Sequence, residues 1–184
     1  MLERNSLLKV TMCAVALTLP ARLAKAEAAC EAGFLPTSCF HVDIKGSAVL
    51  SGSTSASVGS TSCAEWARGA ITGKAKPGLQ FVSEFTPVAG TAFALQGQIQ
   101  DYKGPGTYTE DALAGFGTGF QIVTGDKTWE NWSSETTPPK AKFGVHADGA
   151  GSLDFEGFVT DHAAPPPHDV ISGSLTWTCV DPKS

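Results

Sequence analysis

A disulfide-stapled all-β domain is the fold class this sequence predicts, built as a single antiparallel β-sandwich or closed barrel of about eight to nine strands. Three observations carry that expectation. The stretch Ile171-Ser-Gly-Ser-Leu-Thr-Trp-Thr-Cys179 sets Ile171, Gly173, Leu175, Trp177 and Cys179 on one face and only Ser or Thr on the other. This is the period-two pattern of a half-buried strand. Similar short runs recur between Gly, Pro, Asp and Ser clusters, with nothing comparable for a long helix. Finally, cysteines follow an N-terminal stretch that reads as an export signal.

That stretch, residues 1–26, combines Arg4 and Lys9, an apolar run from Met12 to Leu19, and the small-x-small sequence Ala24-Lys-Ala26. It reads as a removable secretory signal, with residues 27–184 as a single β domain. Its apolar core is far short of the roughly 20 residues that cross a bilayer, so no transmembrane segment is expected. Neither Cys13 nor Cys30 has the residues before it that a lipid anchor requires. Without residues 1–26 the chain keeps 9 Lys+Arg against 17 Asp+Glu, a net charge near −8. Nucleic acid and anionic membranes are therefore disfavoured as partners. Periplasmic or extracellular localisation follows from the signal.

Taken in order, strands are predicted at 40–50, 65–72, 79–85, 91–99, 116–123, 128–133, 141–147, 152–160 and 170–179. Alternation is clearest at Phe40, Val42 and Ile44, and again at Phe93, Leu95 and Ile99. Gly125-Asp126 fits a two-residue hairpin turn that pairs Ile122 with Trp129, Phe120 with Asn131 and Gly119 with Trp132. A three-residue loop at Asp148-Gly-Ala150 would pair Val145 with Leu153 and Lys142 with Glu156, keeping both apolar sets on one face. Residues 51–62, 134–140 and 162–168 read as linkers. The first is rich in Ser, Gly and Thr, and the last holds Pro165-Pro-Pro167.

Cys30, Cys39, Cys63 and Cys179 form an even set, and four cysteines allow three pairings. The expected bridges are Cys30 with Cys39, around Pro36, and Cys63 with Cys179, tying an early segment to the last strand. Zinc is the competing use of four cysteines. No Cys-x-x-Cys pair or compact Cys/His spacing supports it, so neither metal nor cofactor is expected.

Candidate chemistry is sparse. His41, His146, His162 and His168 are scattered, and solvated surface histidine is the reading their spacing favours. His41 shares an outward face with Asp43, and His162 and His168 flank the proline loop. Asp154 and Glu156 also share an outward face, where paired carboxylates can serve glycoside hydrolysis; a charged, solvent-facing hairpin surface, with Lys142 opposite Glu156, explains them without catalysis and is the favoured reading. Glu110-Asp111 is a weak calcium signal. No nucleophile elbow, Ser-x-x-Lys, zinc-protease or phosphate-loop pattern occurs. The candidate ligand-binding residues are Trp132 with Glu130 beside it, and Tyr102 with Tyr108. An outward tryptophan can stack on a sugar or anchor an interface, or it can cover the bare backbone of Gly119. Asn131-Trp-Ser133 matches a glycosylation sequon, taken here as incidental.

The turn Tyr102-Lys-Gly-Pro-Gly-Thr-Tyr108, the segment Ala147-Asp-Gly-Ala-Gly-Ser-Leu153 and the terminal Gly173-Ser-Leu-Thr-Trp-Thr-Cys179 resemble a loose group of exported bacterial all-β proteins without an assigned activity. The resemblance spans about residues 40–180. It implies export and a compact β-fold and carries no catalytic residues across.

The sequence therefore points to an exported, non-enzymatic binding or surface-associated module, with carbohydrate or another cell-envelope protein as candidate partner. Two rivals stand beside it. One is a small secreted hydrolase acting on carbohydrate through Asp154, Glu156 or loop acids; the other is a barrel carrying a small apolar ligand.

Overall fold

The computed structural model of the chain describes residues 30–69, 79–82, 86–99, 102–109, 113–114, 120–131, 139–160 and 167–183. They form β1 (Thr37–Gly46), β2 (Leu50–Ser57), α1 (Cys63–Ala67), β3 (Leu79–Val82), β4 (Thr86–Val88), β5 (Thr91–Ile99), β6 (Gly106–Thr109), β7 (Leu113–Ala114), β8 (Gln121–Thr124), β9 (Lys127–Glu130), β10 (Lys140–Val145), β11 (Gly151–Val159) and β12 (Val170–Val180). Every pairing among the strands is antiparallel, and the backbone path runs β2-β1-β12-β11-β9-β8-β5-β3. The result is one sheet curled into a half-barrel, open rather than closed. At the opening β2 lies beside β4 without pairing; a Cβ built on Gly52 would sit 3.1 Å from Val88 Cγ1.

Its centre is β12, which matches β1 over ten residue pairs and β11 on the other edge. The alternation anticipated from sequence is realised there: Ile171, Leu175 and Trp177 are buried, while Thr176 and Thr178 are exposed. The inner face is filled by aromatic rings. Phe81 meets Trp66, Phe120, Phe143 and Trp177 at centroid distances of 5.2, 6.1, 4.9 and 5.5 Å, each edge-on. Such T-shaped contacts add to the burial of large apolar area. Polar ring atoms are satisfied as well: Trp177 Nε1 donates to Gly149 O at 2.9 Å, and Trp129 Nε1 donates to Thr124 Oγ1 at 2.8 Å.

Both disulfides form as expected, Cys30–Cys39 and Cys63–Cys179, with Cα separations of 5.8 and 5.7 Å. The second closes a loop across 116 positions. In the chain-entropy account a loop of that length stabilises by about 4 to 5 kcal/mol. It pins α1 to the sheet, and Cys63 N donates to Asp181 Oδ1 at 2.7 Å beside it.

Four departures from the sequence-based expectations have clear physical causes. Where a strand is predicted at 65–72, the chain forms α1, started by Ser62, whose Oγ accepts from Glu65 N at 3.1 Å. Ser62-Cys-Ala-Glu65 has the spacing of a capping box, a local signal that outweighs the apparent alternation. Residues 50–57, placed largely in a linker, form β2 instead. It is a polar edge strand held by eight paired positions on β1, and edge strands are commonly kept polar. The β10–β11 loop sits one residue earlier than expected. His146 N donates to Ala150 O at 2.8 Å, and Gly149, at φ +83°, supplies the left-handed residue that ends such a loop. The register is therefore shifted by two: Val145 opposes Gly151, Phe143 opposes Leu153, and Lys142 opposes Asp154. A shift of two leaves each side chain on its expected face. The short strands β4, β6 and β7 also extend the count beyond the eight to nine expected.

The Gly125-Asp126 turn forms as anticipated, with Ile122 opposite Trp129 and Asn131 N donating to Phe120 O at 3.1 Å. Gly119 and Trp132 lie outside the described residues.

Two outcomes test this architecture. Phe81→Ala removes the ring shared by four neighbours and should lower unfolding free energy by about 3 to 5 kcal/mol, measured by urea denaturation. Lys127 Nζ donates to Asp169 Oδ2 at 2.6 Å, tying β9 to the entry of β12. The contact holds the Asp169 carboxyl below its ordinary range and Lys127 above its own. The contribution is thus present above the unfolded aspartate range and is lost as pH falls through the lowered Asp169 value. At the alkaline end it disappears as pH rises through the raised Lys127 value. Asp169→Asn should separate from the parent in urea midpoint at neutral pH and low salt, and the two should converge in acid.

Candidate functional site

Alternation that buries Phe40, Val42 and Ile44 turns His41, Asp43 and Lys45 outward on β1. By the same rule β12 presents Ser172 and Ser174, β11 presents Asp154 and Glu156, and β10 presents Lys140 and Lys142. Register aligns these residues across strands. Lys142 is opposite Thr109 on β6 and Asp154 on β11, Asp154 is opposite Ser174, and Ser174 is opposite Asp43. Lys140 and Glu156 pair one step away, as do Ser172 and Lys45.

Apart from His41, these side chains line an open groove of about 680 Å3 on the outer face of the sheet. Its shape has a simple origin. Short serines lie on β12, with longer charged side chains on β1 and β11 to either side, about 9.6 Å apart at two strand spacings. Gly173 lets β1 approach β12: a Cβ there would stand 2.2 Å from Asp43 O and 3.0 Å from Ile44 Cα. On the other wall β11 carries a bulge between Phe155 and Phe158. Gly157 occupies the bulge at φ +74°, and its N–H donates to Ser172 Oγ at 3.3 Å in place of a ladder bond. A glycine in this conformation is the usual first residue of such a bulge.

The charges balance, with three lysines and three carboxylates. Lys140 Nζ and Glu156 Oε2 pair at 3.3 Å, both well exposed. Asp43, Lys45, Lys142 and Asp154 have no ion-pair partner among the described residues. Exposed pairs such as Lys140–Glu156 contribute little to stability, so folding alone gives little reason for this charged row.

Of the other residues singled out from sequence, several have structural roles. Tyr102 is 2 % exposed and its hydroxyl donates to Ala67 O at 2.5 Å. Burial, reinforced by the nearby Tyr108, pushes that hydroxyl above the ordinary tyrosine range. Tyr108 stacks on Tyr102 with centroids 5.2 Å apart and donates to Gly104 O at 2.5 Å, closing the Gly-Pro-Gly turn from one side. Glu130 accepts from Gln121 Nε2 at 2.6 Å and does not line the groove. Asn131 Oδ1 accepts from Phe120 N, which engages the side chain of the sequon. His41 Nδ1 lies 3.3 Å from Ser53 Oγ, His146 sits in the β10–β11 connection, and His168 precedes β12. Trp132, Glu110, Asp111 and His162 fall outside the described residues. No group of three or more metal-ligating side chains occurs among the described residues.

Asp43, Asp154 and Glu156 were visible in sequence as outward acids; their convergence was not. Ser172 and Ser174 are legible only as the outward face of a strand, and Lys45, Lys140 and Thr109 carry no local signal, because only pairing between distant strands brings them together. Comparisons with protein-family models, curated proteins and solved structures find no match to this chain.

The close approach at Gly173 is open to test. Gly173→Ala should force β1 off β12 and destabilise the fold by about 2 to 3 kcal/mol, read from the urea midpoint. Displaced amide resonances at Asp43 and Ile44 should accompany the loss.

Proposed function

We propose that the protein is an exported β module that binds a polar ligand in the groove over β12. The observation that carries this reading is the row of unpaired, outward charges, Asp43, Asp154, Lys45 and Lys142, set around the hydroxyls of Ser172 and Ser174. Oriented donors and acceptors in a concavity, held by rigid strands rather than loops, are what selective binding of a polar molecule requires. Export is supported by the two disulfides and the signal-like residues 1–26. Among the described residues no helix is long and apolar enough to cross a membrane.

Hydrolysis of carbohydrate is the rival that draws on the same geometry, since Asp43 and Asp154 face each other across β12. Their backbones are about 9.6 Å apart, near the wide end of carboxylate separations in inverting glycosidases. Both carboxylates are, however, exposed on an open sheet face rather than enclosed in a cleft. Carriage of an apolar molecule finds less support, because Phe81 and its neighbouring rings occupy the interior.

Titration of the 15N-labelled protein with a panel of polar compounds (amino acids, dicarboxylates, sugars) should shift amides at Asp43, Asp154 and Ser174. Ser174→Trp, which fills the groove floor from an outward position, should abolish those shifts and leave the urea midpoint unchanged. Shifts that persist in Ser174→Trp would overturn the binding reading. Release of reducing sugar by the parent, lost in Asp154→Asn, would replace it with hydrolysis.

A further inference from the structure

We infer that the groove takes a neutral, linear oligosaccharide lying across the strands rather than along them; the inference rests on the proposed function and deepens it. The long axis of the groove follows from its lining. Thr109, Lys142, Asp154, Ser174 and Asp43 form one register line over five neighbouring strands, β6, β10, β11, β12 and β1. Four strand spacings amount to about 19 Å. Along β12 the lining reaches only from Ser172 to Ser174, one two-residue repeat of about 7 Å. A ligand that fills such a space is extended and perpendicular to β12.

Its chemistry follows from what the row offers. Hydroxyl, ammonium, carboxylate, hydroxyl and carboxylate follow in turn, so acceptors, donors and groups that do both alternate from strand to strand. A sugar chain carries hydroxyls that donate and accept at each unit, and the length of a pyranose ring is comparable with the strand spacing. About four sugar units would span the row. An extended peptide is a poorer fit. Backbone N–H and C=O groups in the middle of the sheet are already paired within it, and the row presents a polar or charged side chain at each of its five positions rather than alternate apolar ones. Charge points the same way. Three lysines and three carboxylates cancel, which favours a neutral chain over a uronate or an amino-sugar polymer. The next register line, Ser152, Thr176, His41 and Ser53, continues the polar surface as a low rim on one side.

The test is the length dependence of affinity, measured by isothermal titration calorimetry with the series from glucose to cellohexaose, alongside N-acetylated chito-oligosaccharides. For at least one neutral series, affinity should rise about tenfold or more between disaccharide and tetrasaccharide and then level off. Thr109→Ala, at one end of the row, should weaken the tetrasaccharide and leave the disaccharide unchanged. Ser174→Trp should abolish both. An affinity independent of length, or tighter binding of oligogalacturonate or chitosan oligomers, would overturn the inference while leaving a polar groove ligand in place. If glycans fail but another polar compound shifts the groove amides in a manner lost in Ser174→Trp, the inference falls and the binding reading stands. Silence of the groove toward every probe would remove both.

Discussion

The structure depends on the two ladders that clasp β12. Ten residue pairs with β1 and a second ladder with β11 hold its backbone on both edges, so each side chain must take one face or the other. Ile171, Leu175 and Trp177 go inward; Ser172, Ser174 and Thr176 go outward. The buried set brings Trp177 against Phe81 and Phe143, and with them the rings that fill the half-barrel. The outward set makes the floor of the groove. One geometric rule, applied to one strand, thus generates both the core and the candidate site.

The same constraint explains why the groove can be rigid at little expense to the fold. The polar side chains that line it are not those that stabilise the protein, since burial energy resides in the inner face and scales with apolar area removed from water. The outer face is free to carry a charge pattern serving another purpose. Two backbone features shape it further: Gly173 permits the close contact of β1 with β12, and the Gly157 bulge turns β11 so that Phe155 and Phe158 both pack inward. The Cys63–Cys179 bridge anchors α1, and with it Trp66, against this central unit.

Much of the fold was legible in the sequence where the signal is local. Strands such as 91–99 and 170–179 are nearly as anticipated, because a half-buried strand writes its two faces directly into alternate residues. The Gly125-Asp126 hairpin was legible for a similar reason: a two-residue turn sets its own register. Two local signals were overlooked or outweighed. The Ser62–Glu65 cap marks α1, and the Ser/Gly/Thr-rich 51–57, with Ala56 its one apolar residue, concealed an edge strand held by its pairing with β1. Of the site, the outward acids Asp43, Asp154 and Glu156 were identifiable singly. Lys142 and the outward serines of 171–179 were legible too, but not the alignment that brings them together with Lys45, Lys140 and Thr109.

By itself the sequence determined the all-β class, an even set of four cysteines suited to two bridges, and which residues of most strands face the core, since each depends on near neighbours in the chain or on a small set of choices. Tertiary structure alone decided the strand order, the half-barrel opening, the two-residue shift between β10 and β11, and the meeting of Asp43 with Asp154 across Ser174. These are matters of pairing between segments as much as 143 residues apart, as Thr37 and Val180 are. Period-two alternation states which face a residue occupies; it is silent on which strand lies beside it, and a groove on a sheet is made of neighbours.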